Sequence, residues 1–249
     1  MKRRALIVAS AGVAGGLVPN FARAAVPCPP PQVTAQGGTT ALTTCATAPT
    51  GSYSTSFGAT ENPLSAGGVW TNGAQVGLDW SNVQTGSGNA YGTAINSPPP
   101  YNDSIACLSG FSANQYIEGI VHKAAGYNPP DNHEIELFVR CAISAHNARG
   151  YEVNVQSNGA YSQIVRWNGP ANDYFAMAAS GPGFGTPAHG DVMRVEVKGN
   201  TITVFKNGAQ VLIATDASFS TGNPGIGFWC RPGGTLASFG WQSITAGGL

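Results

Sequence analysis

An all-β fold of two stacked antiparallel sheets is predicted by three observations. Short apolar runs recur from residue 104 to the C-terminal end, and several alternate with polar residues at period two. Gly, Asn and Pro punctuate these runs at strand-like spacing. No window carries a capped apolar stripe at the 3.6-residue period of a helix.

Residues 1–25 stand outside the fold. Lys2, Arg3 and Arg4 precede a small apolar stretch, and Ala22-Arg23-Ala24 supplies an A-x-A cleavage signal. This pattern predicts a signal peptide, too short and too weakly flanked for a membrane anchor. Arg3-Arg4 also fits the twin-arginine pattern, which leaves that route and the general secretory route both open. The mature chain is therefore expected to be secreted or periplasmic. No later run reaches the ~20 apolar residues of a membrane span.

Residues 26–51 form a Pro/Thr/Ala/Gly tract without apolar periodicity, expected to be a flexible linker. Cys28 and Cys45 bracket it and, in an exported protein, are candidates for a disulfide. Five cysteines is an odd number, so at least one is unpaired or bonded to another chain. Cys107 and Cys141 fall within apolar strand patterns and are expected to be buried and inert; Cys230 is left without an assigned partner.

Residues 52–249 are expected to form one sandwich domain. Short strands are predicted over 78–80 and 90–95, with a loop at Ser97-Pro98-Pro99-Pro100 between them and the next run. Strands follow over 104–108, 115–122, 133–143, 151–156 and 161–167, with Gly/Pro-rich loops over 126–132 and 178–190. Val192, Val195 and Val197 mark a strand that stops at Gly199-Asn200. Ile202 and Val204 alternate with threonines, and Asn207-Gly208 then closes a hairpin, because both central residues of a type I′ turn need positive φ. Val211 and Ile213 lie on the return strand, followed by strands over 225–229 and 238–245.

Charged residues make up 10% of the chain, against about a quarter in ordinary domains, and the formal net charge is zero. A basic patch is absent, which argues against nucleic-acid binding.

The segments FGATENPLSAGGVW, ISAHNARGYEVNV, YSQIVRWNG, VKGNTITVFKNG and NPGIGFW together resemble the concanavalin A-like (laminin-G-like) jelly rolls of exported bacterial proteins, over roughly residues 53–246. The resemblance implies a sandwich whose last strand returns beside the first, with one concave face that in many relatives holds carbohydrate. It is specific for fold and weak for activity, since one fold hosts many functions. Calcium often stabilises such folds; no dense Asp/Asn ligand loop appears here, so no cofactor is expected, with a calcium site left open.

Alternation selects the candidate site. In HEIELFVR, Glu134, Glu136, Phe138 and Arg140 face away from Ile135, Leu137 and Val139. In GYEVNVQ, Glu152, Asn154 and Gln156 face away from Tyr151, Val153 and Val155. If the two strands adjoin, these polar groups share one surface. Carboxylates and amides suit sugar hydroxyls, and Tyr161, Trp167 or Tyr174 would supply a ring for the apolar sugar face. His146, in the turn beside this stripe, joins the candidates. A solvated face with cross-strand Glu–Arg pairs is the plainer alternative.

Retaining hydrolysis would need two carboxyls about 5–5.5 Å apart, one as nucleophile and one as acid. The laminarinase-type hydrolase pattern, Glu-x-Asp-x-x-Glu, is met only at Glu134-Ile135-Glu136, and Leu137, Phe138 and Val139 follow without its third carboxylate. Tyr161-Ser162-Gln163 faintly resembles an alginate-lyase element but sits too far from the chain's end. Neither G-x-S-x-G, HExxH nor a phosphate loop occurs. The sequence thus favours a non-catalytic glycan-binding or surface-interaction domain. A hydrolase or lyase using Glu136 or Glu152, and a structural envelope domain, remain as alternatives.

Overall fold

The structure is a computed structural model that describes residues 51–95, 103–128 and 133–249. The expected signal peptide, nearly all of the linker, the Cys28–Cys45 pair and the proline loop at 97–100 lie outside the described residues.

Among the described residues fifteen strands run in chain order: β1 Ser52–Thr55, β2 Thr71–Asn72, β3 Val83–Gly86, β4 Asn89–Gly92, β5 Ser104–Cys107, β6 Gln115–Lys123, β7 His133–Ser144, β8 Asn147–Gln156, β9 Ser162–Gly169, β10 Tyr174–Ala176, β11 Val192–Lys198, β12 Thr201–Lys206, β13 Ala209–Thr215, β14 Asn223–Cys230 and β15 Phe239–Gly248. They build two antiparallel sheets. The first has the order β13-β12-β11-β6-β15-β4-β3, with β1 also paired to β15. The second has the order β10-β9-β8-β7-β14-β5-β2. Ser52 pairs with Gly247 and Thr55 with Ile244, so the last strand does return beside the first. Among the described residues no helix is long and apolar enough to cross a membrane.

The main core lies between the sheets. Ile117, Val195, Ile202, Val204 and Trp241 from the first sheet meet Ile135, Leu137, Val139, Tyr151, Val153 and Ile164 from the second. The predicted alternation is therefore the real one on β12 and on most of β7 and β8. Lys206 pairs with Ala209 across the hairpin, and Asn207 and Gly208 have φ of 49° and 83°, the positive pair that a type I′ turn demands.

β7 and β8 nonetheless differ from a half-solvated sheet, because both of their faces are buried. The face turned away from the first sheet is partly covered by residues 74–80. That segment was expected to hold a strand at 78–80; instead a 3-10 turn at Ala74–Val76 leads into an irregular stretch. Leu78 and Trp80 pack there on Ile105, Cys107, Phe138, Cys141, Val165 and Trp167, forming a second, smaller apolar cluster. Apolar side chains at 78 and 80 mimic strand alternation, yet Gly77 in the left-handed region (φ 76°) turns the chain instead. The strand expected over 90–95 ends at Gly92, and β1, β2, β3 and β10 carried too little apolar pattern to be anticipated.

Cys107, Cys141 and Cys230 are buried free thiols, with the sulfurs of Cys107 and Cys141 2.9 Å apart. Their hydrogen bond, together with burial, pushes the Cys141 thiol well above its ordinary pKa. Burial pushes Cys230 up to about 11. Both groups are poor nucleophiles at neutral pH.

Candidate functional site

A cavity of ≈ 340 Å³ opens on the second sheet's outer face. Its carboxyls come from three places. Asp103 precedes β5, Glu134 and Glu136 lie two apart on β7, and Glu152 lies on β8 opposite Phe138. Asn154, opposite Glu136, and its β9 partner Gln163 continue the polar wall. Tyr161, Trp167, Tyr174, Trp229 and Arg231 complete the rim.

Local sequence explains why so many acids fit. Gly227 on β14 pairs with Glu136, and a Cβ at that position would meet the Glu136 carboxylate. Glycine here opens the sheet surface for the neighbouring strand's side chain.

Hydrogen bonds hold part of the cluster. The Tyr161 hydroxyl donates to Glu134 Oε1. The Trp167 indole N–H donates to Glu152 Oε2 at 2.5 Å, and Asn154 Nδ2 donates to Glu152 Oε1 at 2.9 Å. Glu136 Oε2 and Asn154 Oδ1 are buried without a hydrogen-bond partner. One oxygen from each of Asp103, Glu136 and Glu152 lies within 4.8 Å of the others. This is an arrangement of oxygen donors suited to a hard cation.

Burial is the main force on these acids, because it disfavours the charged form, and mutual repulsion adds to it. Asp103 and Glu136 are held well above the ordinary carboxyl range by burial and by the neighbouring acids. Glu134 is pushed up to about 8 by burial, with the Tyr161 hydroxyl working against it. Glu152 rises to about 7 through burial, opposed by its bonds from Trp167 and Asn154. All four acids are therefore shifted toward the protonated form relative to exposed carboxyls.

Of the eight residues singled out in the sequence, five line this cavity: Glu134, Glu136, Glu152, Asn154 and Trp167. Three do not. Arg140 fails because β7 carries an extra residue between Val139 and Ala142 relative to β8, which breaks the alternation. With φ of 52°, Arg140 turns its guanidinium onto Ala113 O and Phe219 O, and its own N–H donates to Gln115 Oε1. Gly150 makes room for this bulge, since a Cβ there would lie 2.8 Å from Arg140 O. His146 occupies the exposed β7–β8 turn and bonds Asp79 at 2.9 Å, fastening the covering segment. Gln156 is buried opposite Glu134 but does not line the cavity.

Trp167 is itself buried, in edge contact with Trp80 (4.6 Å between centroids) and tilted against Tyr174 (5.2 Å). It orients Glu152, whereas Tyr174 offers the exposed ring. Asp103, Gln163, Trp229 and Arg231 were not singled out as cavity residues. Gly225 and Gly227 in NPGIGFW are the one available signal, since small residues on a strand's outer face invite neighbours over it.

No protein-family model matches the chain, and no curated protein sequence matches it. Solved structures resemble it. A β-1,3-1,4-glucanase (lichenase) derived from a mouse hindgut metagenome superposes with a TM-score of 0.50 at 11% identity, covering 80% of this chain and 100% of that one. A Bacillus licheniformis β-glucanase gives 0.49 at 14% identity, covering 80% and 99%. A carbohydrate-binding module, CBM66, from Bacillus subtilis gives 0.48 at 17%, covering 74% and 94%. Identities this low speak to fold alone, and that fold is the two-sheet jelly-roll sandwich of the concanavalin A type.

Proposed function

We propose that this chain is an exported glycan-binding sandwich whose ligand site is the carboxyl-lined cleft of the second sheet. The observation that carries the reading is the lining itself. Acids and amides from four segments meet beside the exposed ring of Tyr174, in a cavity roomy enough for a sugar unit. Buried carboxylates and amides accept and donate to vicinal hydroxyls, and an aromatic ring takes the apolar sugar face. The neighbours' printed activities are carbohydrate-directed, which agrees with the reading without carrying it.

A second reading is retaining glycoside hydrolysis. It is favoured by the 4.8 Å limit on the oxygens of Asp103, Glu136 and Glu152, close to the separation such chemistry uses. Glu152 comes from β8 beside Phe138, so a neighbouring strand brings in a carboxyl that the β7 sequence lacks. A carboxyl held protonated by burial, as at Glu134, is what a general acid requires.

The test is retention of the purified protein on a panel of soluble and insoluble polysaccharides, run alongside reducing-end release. Retention without new reducing ends upholds binding. New reducing ends that vanish in Glu136→Gln and Glu152→Gln establish the hydrolase. Neither retention nor release on any polysaccharide favours the structural envelope role.

A further inference from the structure

Asp103 just before β5, Glu136 on β7 and Glu152 on β8 bring three carboxylate oxygens within 4.8 Å of one another. Ligands on opposite sides of a Ca²⁺ with bonds of about 2.3–2.6 Å are roughly 4.6–5.2 Å apart, so one ion fits among the three. A second observation points into the same place. Asn154, 6% exposed, lines the cavity with Oδ1 unpartnered, and its Nδ2 is committed to Glu152, which fixes which amide atom is the oxygen. Glu136 Oε2 is likewise buried without a partner. Among the described residues no Lys or Arg forms an ion pair with any of the three acids. Buried acceptors left this way are costly unless something satisfies them. A donor set made of oxygen alone selects Ca²⁺ or Mg²⁺ over zinc or copper, and irregular donors from separate strands suit calcium better than the strict octahedron of magnesium.

We propose that the cleft binds one Ca²⁺ through Asp103, Glu136 and Glu152, with the Asn154 carbonyl as a fourth donor. Resting on the glycan reading above, the ion's remaining positions face the cavity and take vicinal hydroxyls of the sugar. The ion then offsets most of the carboxylate charge at the floor of the site, and it couples glycan affinity to calcium.

The experiment titrates EDTA-stripped protein with CaCl2 alone, by calorimetry and by thermal melting, and with TbCl3 by luminescence sensitised from Trp167 and Trp229. One ion per chain is expected, with a midpoint on the order of 10⁻⁴–10⁻³ M as in other extracellular modules, and with a rise in Tm. Glu136→Gln should abolish the heat, the Tm rise and the terbium signal. Its ion-free Tm should equal or exceed wild type, because a crowded acid is neutralised. Glu118→Gln, on the first sheet and paired with Arg194, should leave all three readouts unchanged. Absence of heat and of any Tm change up to millimolar CaCl2 overturns the site, as does a Glu136→Gln variant that binds as wild type. Retention on polysaccharide, measured separately in EDTA and in CaCl2, tests the coupling. Equal retention in both overturns the coupling and leaves the glycan reading standing. Calcium binding with no retention anywhere upholds the ion site and removes the glycan reading.

Discussion

Gly227 stands directly opposite Glu136 in the β7–β14 ladder, and its missing side chain is the space that the Glu136 carboxylate fills. A Cβ there would also lie 2.6 Å from Phe138 Cε2. Gly227→Ala should therefore destabilise the fold by about 1–3 kcal/mol, the usual range for overpacking. The double variant with Glu136→Ala should recover part of that loss. Denaturant unfolding of the four proteins checks this; strictly additive effects would mean that the two residues do not share the space.

The hairpin offers an independent test of backbone strain. Gly208 has φ of 83°, and a Cβ there meets no atom within 4 Å. Gly208→Val should thus lose stability through conformation alone, by about 1–3 kcal/mol. Gly208→Asn should lose much less, because Asn tolerates the left-handed region. Equal losses in the two variants would point to a clash instead.

Acid should expose the buried imidazole of His133. Burial lowers its pKa from 6.5 to about 4, and its Nδ1 sits 2.8 Å from the Tyr127 hydroxyl, with the Phe239 ring edge-on. A depressed folded pKa contributes stability that is complete above the unfolded value. That stability is lost as pH falls from about 6.5 through about 4, by at most about 3 kcal/mol. The cleft acids act in the opposite sense, since Glu134 at about 8 costs stability as pH rises from 4.5. The comparison of wild type with His133→Asn isolates the histidine. Wild type should lose its margin over the variant between pH 7 and 4 in urea unfolding, and a constant margin would refute the assignment.

What was legible in the sequence follows from which forces act locally. Period-two alternation located β7, β8 and β12, and Asn207-Gly208 specified its own turn, because both depend on neighbouring residues only. Glu134, Glu136, Glu152 and Asn154 were legible as one polar face for the same reason. Arg140 was misplaced because a bulge reverses the alternation, and the bulge depends on Gly150 across the ladder, not on Arg140's own neighbours. Asp103 and Trp229 enter the cavity through the β7-β14-β5 strand order, which brings distant segments together. Burial of the polar face was also illegible. The 74–80 segment, whose apolar residues imitate a strand, covers Phe138, Val165 and Trp167 on that face.

Substitutions at Glu152 and at Arg140 should act on different properties. Trp167 and Asn154 each donate to Glu152, so the carboxylate is fixed at the cavity wall. Glu152→Gln retains an oxygen for one of these donors, so the fold should survive. It nevertheless exchanges a charged acceptor for a neutral one, and a hydrogen bond to a charged group is worth roughly 1.5–3 kcal/mol. Affinity for the best-retained polysaccharide should fall by about tenfold or more. Trp167→Phe keeps an aromatic ring against Trp80 but deletes the indole N–H, and it should weaken affinity in the same direction by a smaller factor. Arg140→Ala should do the reverse. It strips the donors from Ala113 O and Phe219 O, so Tm should drop, while Kd for the polysaccharide stays at the wild-type value as long as the protein is folded. Isothermal titration and thermal melting on the three variants separate these outcomes. If Arg140→Ala weakens binding as much as Glu152→Gln while remaining folded, the ligand site is not the cleft beside Gly227.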